Sequence, residues 1–222
     1  MATTPARIDV ISDAICPWCW IGKRHLERAL PVLAKQGLTF AVAWHPFQLN
    51  PDMPAGGVDR QEYRLQKFGS LASTEEADTR VAQAGAGVGL RFRHDLMRRT
   101  PNTVDAHRVI RLAGQHDVQD AVVEALFSGY FTQGLDIGDH DILARLAGEA
   151  GLDALEVIGM LAGADGRAEV LAEDQSSRDA GLDGVPAFVM GRYVLFTGAV
   201  PADAMAEAFA KAWSVIGSQP VE

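Results

Sequence analysis

The chain runs to 222 residues, and its apolar positions switch between two periods, which divides it into two α/β ends and a long helical middle. Residues 8–12 (Ile-Asp-Val-Ile-Ser) form a short apolar run suited to a buried strand, after which Cys16-Pro17 opens a helical pattern. Cys19, Leu26, Leu30 and Leu33 share one helical face, and Gly37 stands where such a helix should stop. In residues 38–45, Phe40, Val42 and Trp44 alternate with Ala41, Ala43 and His45, so a second strand is expected with its bulky residues on one face. A strand–helix–strand unit of this length predicts a parallel crossover.

The strand period returns near the other end. Residues 186–190 and 193–196 flank Gly191-Arg192, which suits a two-residue hairpin turn. A last helix follows, with Pro201 in its first turn and Met205, Phe209, Ala212 or Trp213, and Ile216 along one side. Between the two ends the pattern is helical: residues 61–69, 73–87, 103–115, 119–131, 139–150, 153–161 and 167–180. The stripe Val122, Ala125, Leu126 and Tyr130 reads as core. The expected fold class is therefore α/β, with a β-α-β half and a β-β-α half bracketing an all-helical domain inserted between the second and third strands. Residues 1–56 and 184–222 make the discontinuous α/β domain, and residues 57–183 the insert. Only the ends, 1–7 and 217–222, look loose.

Composition narrows the function. A formal net charge of −9 and the absence of any long Lys/Arg run argue against nucleic acid as a partner. No segment approaches the ~18–20 apolar residues of a membrane span, and the first ten residues do not read as a secretory leader. A cytoplasmic protein that acts away from the membrane is the expectation.

The two cysteines are only three positions apart, so they cannot staple a scaffold, and their use must be chemical. Cys16-Pro17-Trp18-Cys19 follows a predicted strand and opens a predicted helix, which is the context in which a Cys-x-x-Cys pair gains redox function. Cys16 then falls at the helix N-terminus, where unpaired N–H groups and the helix dipole favour its thiolate, and Pro17 fits the first helical position. Cys19 lies on the apolar side of the first turn. Cys16 is thus the attacking thiolate and Cys19 the resolving thiol. Zinc normally needs four ligands, and the six histidines show no pair at metal-binding spacing, so no metal is expected. No cofactor is expected either, although glutathione could serve as co-substrate.

Further candidates lie around this pair. Gly184-Val185-Pro186 precedes the third strand, and a cis Pro186 would hold the Val185 backbone where a substrate chain can pair beside Cys16. Trp18 is placed to line a peptide groove. Asp13, three residues before Cys16, is a candidate proton relay, or else a turn residue.

The combination Ser12-Asp13-x-x-Cys16-Pro17-Trp18-Cys19-x-Ile21-Gly22, Pro46-Phe47-x-Leu49-Asn50-Pro51, Asn102-Thr103-x-x-Ala106-His107-Arg108 and Gly184-Val185-Pro186 resembles the FrnE-like branch of the DsbA thioredoxins. The resemblance spans nearly the whole chain, with the four motifs in family order. It implies a thioredoxin-like fold, with residues 1–56 and 184–222 as the discontinuous thioredoxin-like domain and 57–183 as the helical insert, and disulfide oxidoreductase activity, with isomerase activity and a role in small-molecule biosynthesis in some members. It also brings Asn102 and Thr103 toward the redox site as substrate contacts, whereas N-capping alone would explain them. His107 is expected to be an internally satisfied histidine. Periplasmic members carry His between the cysteines where Trp18 stands here, which implies a weaker oxidant.

The expected partners are protein or peptide disulfides and a thiol reductant or other redox partner; a homodimer is compatible with the sequence. Two rival readings are a glutathione-dependent isomerase or kappa-type glutathione transferase, and a non-enzymatic chaperone-like binding protein. The first usually keeps a single Ser or Cys, so the second thiol at Cys19 speaks against it.

Overall fold

A computed structural model describes residues 6–216. In chain order the elements are β1 (Ala6–Ser12), α1 (Pro17–Lys35), β2 (Phe40–Pro46), β3 (Val58–Asp59), α2 (Arg60–Phe68), α3 (Leu71–Gly87) and β4 (Arg99–Thr100). Then come α4 (Val104–Gln115), α5 (Gln119–Phe131), α6 (His140–Glu149), α7 (Ala154–Ala162), α8 (Arg167–Asp179), β5 (Ala187–Met190), β6 (Tyr193–Thr197) and α9 (Ala202–Ile216).

The main sheet has the order β2-β1-β5-β6. β1 and β2 pair in parallel from Ala6 opposite Phe40 to Ser12 opposite Pro46, as the crossover requires. β5 runs antiparallel to β1 and forms the hairpin with β6 across Gly191-Arg192. β1 is central, and its last five residues are all buried, which is why it reads as an apolar run rather than an alternating one.

α1 begins at Pro17, whose missing N–H falls where the helix needs none. Pro31 lies inside this helix and removes the donor that would otherwise reach the Glu27 carbonyl. The buried face carries Cys19, Leu26, Ala29 and Leu33 and packs with α9, whose Phe209 meets Phe40, Phe188 and Phe196 at ring separations of 5.4–6.4 Å. On the opposite side of α1, Trp20 stacks on Phe127 and Phe131 and meets Phe92 edge-on, with centroids 5.4–6.2 Å apart. The nearly buried Lys23 ammonium sits among Glu27, Asp120 and Glu124. One continuous apolar core joins the sheet to the helices between β2 and β5.

The helical middle was expected to be wholly helical, and the structure adds a two-stranded antiparallel ribbon, β3 with β4. Each strand has two residues, too few for a period of two to register in sequence. Gly57 makes the ribbon possible: its φ is +65°, and a Cβ there would stand 2.6 Å from the Thr100 carbonyl oxygen. The loose ends were expected at 1–7 and 217–222. Ala6 and Arg7 instead belong to β1, and 1–5 and 217–222 lie outside the described residues. Among the described residues, no helix is long and apolar enough to cross a membrane.

Candidate active site

The end of β1, the start of α1 and the start of β5 converge at one point. Cys16 is the extended residue that caps α1, with φ −91° and ψ 111°. Its N–H bonds the Asp13 carbonyl at 2.9 Å, and the Cys19 N–H bonds the Cys16 carbonyl at 3.1 Å, so the segment Asp13–Cys19 is wound into a tight turn that opens the helix. Both thiols are free. Cys16 is 3% exposed and Cys19 0%.

The difference matters because only Cys16 lines a cleft. Its Sγ donates to the Val185 carbonyl oxygen at 3.5 Å. The Val185–Pro186 peptide is cis, and buried Pro186 packs against α1 at Gly22, where a Cβ would stand 3.0 Å from its Cγ. Gly22 therefore lets the helix approach the Val185–Pro186 segment closely. Burial, reinforced by the neighbouring Cys16 sulfur, pushes the Cys19 thiol well above its ordinary value, while the Asp13 backbone and the Ser12 side chain oppose the rise. Cys19 is thus held protonated behind Cys16.

Asp13 is fully buried under this turn. Its Oδ2 accepts the Leu49 N–H at 2.7 Å, and its Oδ1 stands 3.3 Å from His107 Nε2. Neither Oδ1 nor Nε2 has an aligned hydrogen-bond partner, an uncommon condition for buried polar atoms. His107 is therefore not the satisfied histidine that the sequence suggested. The signal was present in the shared motif Asn102–Arg108, but nothing in sequence ties that helix to Asp13. Arg108 of the same motif is structural: it donates to the carbonyls of Met160, Gly163 and Asp165 at 2.6–2.9 Å, closing the end of α7.

The cleft beside Cys16 has a volume of about 450 Å³ and is bounded by Trp18, Val185 and Leu49 and by residues of α2 and α3. Trp18, 40% exposed, stands at its mouth. The candidates Cys16, Trp18 and Val185 meet there. Asn102 and Thr103 do not line it. Asn102 Nδ2 donates to the Met53 carbonyl at 2.7 Å and its Oδ1 accepts the Val104 N–H at 3.0 Å, and Thr103, at the start of α4, is 4% exposed. The sequence reading did not single out Arg60, Arg64, Lys67 and Arg80, which all line the cleft. Their helices read as ordinary amphipathic elements, and only the fold brings them over Cys16. Among the described residues no cluster of three or more His, Cys, Asp or Glu could hold a metal ion.

Comparison with known proteins agrees with this architecture. The sequence model of the DSBA-like thioredoxin domain matches residues 7–210. An uncharacterized protein, YwbO, of Bacillus subtilis (strain 168) is 27% identical over 211 residues, covering 93% of this chain and 95% of the relative. The crystal structure of a probable DsbA oxidoreductase from Streptomyces coelicolor superposes with a TM-score of 0.87 at 30% identity, covering 98% of this chain and 93% of that one. The cytosolic disulfide reductase DsbM of Pseudomonas aeruginosa shares the fold, with a TM-score of 0.63 at 20% identity over 95% of this chain and 100% of that one. These matches are to the family as a whole and do not single out its FrnE-like branch.

Proposed function

The chain belongs to the DSBA-like thioredoxin family, an enzyme family of disulfide oxidoreductases, and from that premise we propose that it exchanges protein or peptide disulfides through Cys16 and Cys19. The observation that supports the reading best is the unequal placement of two free thiols: Cys16 opens a helix at the floor of a cleft, and Cys19 lies sealed behind it. The Cys16 thiolate attacks one sulfur of the substrate disulfide, which leaves a Cys16–substrate mixed disulfide and expels the other sulfur as a thiolate. Cys19 then loses its proton, attacks Cys16 Sγ, and expels the second substrate thiolate. The enzyme is left with a Cys16–Cys19 disulfide. A thiol reductant closes the cycle; with an oxidising partner it runs in reverse.

Asp13 is the proton acceptor in this reading. Its carboxyl is fully buried under the turn that carries Cys16, and its Oδ1 has no hydrogen-bond partner. The Val185 carbonyl, which accepts from the resting thiol, pairs with an extended substrate chain in this reading. Because Cys19 must first be deprotonated, a second substrate thiol can compete for the mixed disulfide, and the reading includes isomerase activity. The reading includes a cytoplasmic location, where the pair would rest as thiols.

The test is turnover of a model peptide disulfide with a thiol donor, together with recovery of scrambled ribonuclease. Wild type should catalyse both and Cys16→Ser neither. Peptide turnover that survives Cys16→Ser would remove the proposal, and ribonuclease recovery that survives it while peptide turnover is lost would favour a non-enzymatic binding role.

A further inference from the structure

The charge lining the cleft is opposite to that of the protein. The chain carries a formal net charge of −9, yet the cleft that holds Cys16 is lined by Arg60, Arg64, Lys67 and Arg80 against a single carboxylate, Asp78. Asp78 is already engaged: it bonds Arg64, and it lies 4.0 Å from Arg60 and 3.8 Å from His94. One carboxylate cannot neutralise this set. Lys67 donates to the Tyr63 hydroxyl at 2.9 Å and has no ion-pair partner among the described residues. Arg80 is exposed and likewise has none. The Arg64 Nε is buried without a hydrogen-bond partner. Tyr63, Phe68 and Tyr130 line the same cleft, with the Arg64 guanidinium over the Phe68 ring and the exposed Lys67 ammonium over the Tyr63 ring.

Resting on the oxidoreductase reading, we propose that this cleft selects small disulfides that carry carboxylates near the sulfur–sulfur bond, and that Lys67 and Arg80 of α2 and α3 bind those carboxylates while Cys16 attacks. A volume of about 450 Å³ falls in the range of small-molecule sites, ~300–1,000 Å³, and admits such a molecule whole. The electron balance needs no further reagent in one turnover. The reduced Cys16–Cys19 pair is oxidised to its disulfide, and the substrate is reduced to two thiols. The cations stay unchanged throughout. They raise the local concentration of the anion and offset its repulsion from the attacking thiolate.

The experiment is single-turnover oxidation of the fully reduced, full-length protein, followed by alkylation of the remaining thiols and mass spectrometry. Three probes are compared: dianionic 3,3′-dithiodipropionate, neutral bis(2-hydroxyethyl) disulfide and dicationic cystamine. Each rate constant is divided by that of free dithiothreitol with the same disulfide, which removes intrinsic reactivity. The normalised anion-to-neutral ratio should be about tenfold or more at low ionic strength. It should fall several-fold in 0.5 M salt, where the screening length is only a few ångströms. It should also fall toward unity in the double variant Lys67→Gln/Arg80→Gln. Arg145→Gln, which removes a cation paired with Glu149 on the distant α6, should keep the wild-type ratio. A ratio near or below one, or one that the double variant leaves intact, overturns the inference while the redox reading stands. Oxidation by a peptide disulfide but by none of the three overturns this inference alone, and oxidation by neither would remove the redox reading with it.

Discussion

His45 ties β2 to its neighbours, and its removal has a calculable pH signature. Its Nε2 lies 2.8 Å from Asp9 on β1 and its Nδ1 3.3 Å from Glu173 on α8, which also pairs with Arg111 of α4 at 2.7 Å. The hydrogen bond to Asp9, then that to Glu173, raises the imidazole from its ordinary 6.5 to about 9, against the opposing pull of burial. At about 1.4 kcal/mol per pH decade, that rise corresponds to at most about 3.5 kcal/mol. Because the His45 side chain is 31% exposed and Glu173 38%, solvent screening reduces the figure to about 1–2 kcal/mol. The sign follows from the direction of the shift. A raised folded value stabilises fully below the unfolded 6.5 and is lost as pH climbs through about 9. Urea denaturation of wild type and His45→Gln between pH 6 and 10 gives the difference directly, and titration of the cysteines cancels in it. His45→Gln should be less stable by about 1–2 kcal/mol at pH 6 and nearly equal to wild type at pH 10. A difference that stays constant or grows across that interval would refute an ion-paired His45.

Three further outcomes follow from the site and its scaffold. Cys19→Ser should accumulate a mixed disulfide at Cys16 that is visible by intact mass under non-reducing conditions; accumulation through Cys19 in the Cys16→Ser protein instead would reverse the assigned roles. Asp13→Asn should slow release of that mixed disulfide by about tenfold or more at neutral pH, with partial recovery in alkali, as expected when a general base is removed; rapid-quench rates equal to wild type would exclude Asp13 as the acceptor. Trp20→Ala should cost about 3–5 kcal/mol in urea denaturation, the usual price of emptying an aromatic site, and a loss below 1 kcal/mol would mean that the stack with Phe92, Phe127 and Phe131 contributes little.

Much of this molecule is legible in its sequence because its signals are local. The period of α1, the Asp caps of α2, α6 and α7 and the Gly191 turn each lie within a few residues of the element they define. The motif Cys16–Cys19 at a strand–helix junction likewise carries its chemistry in its context. What sequence could not supply were juxtapositions across large separations. Asp13 and His107 are 94 positions apart and meet only because α4 packs behind the end of β1. Asn102 lies in a motif whose resemblance implies a substrate contact, and only the fold shows that its side chain holds the Met53 carbonyl and the start of α4. The cleft cations were unreadable for the same reason, since α2 and α3 face Cys16 only through the tertiary arrangement.

Trp20 stands one residue after Cys19 and is 3% exposed among the rings of Phe92, Phe127 and Phe131. The helix that presents the thiols and the helical segment above it are therefore joined by a shared aromatic seam that neither side can complete alone. A chimaera that exchanged residues 57–183 for those of a relative would have to bring a matching set of rings or change Trp20 with them. Recombination of this fold is constrained inside the reactive helix, at Trp20 and again at Lys23, whose ammonium meets Asp120 and Glu124 of the exchanged segment, so the substrate-facing helices and the thiol pair should be inherited, and engineered, as one piece.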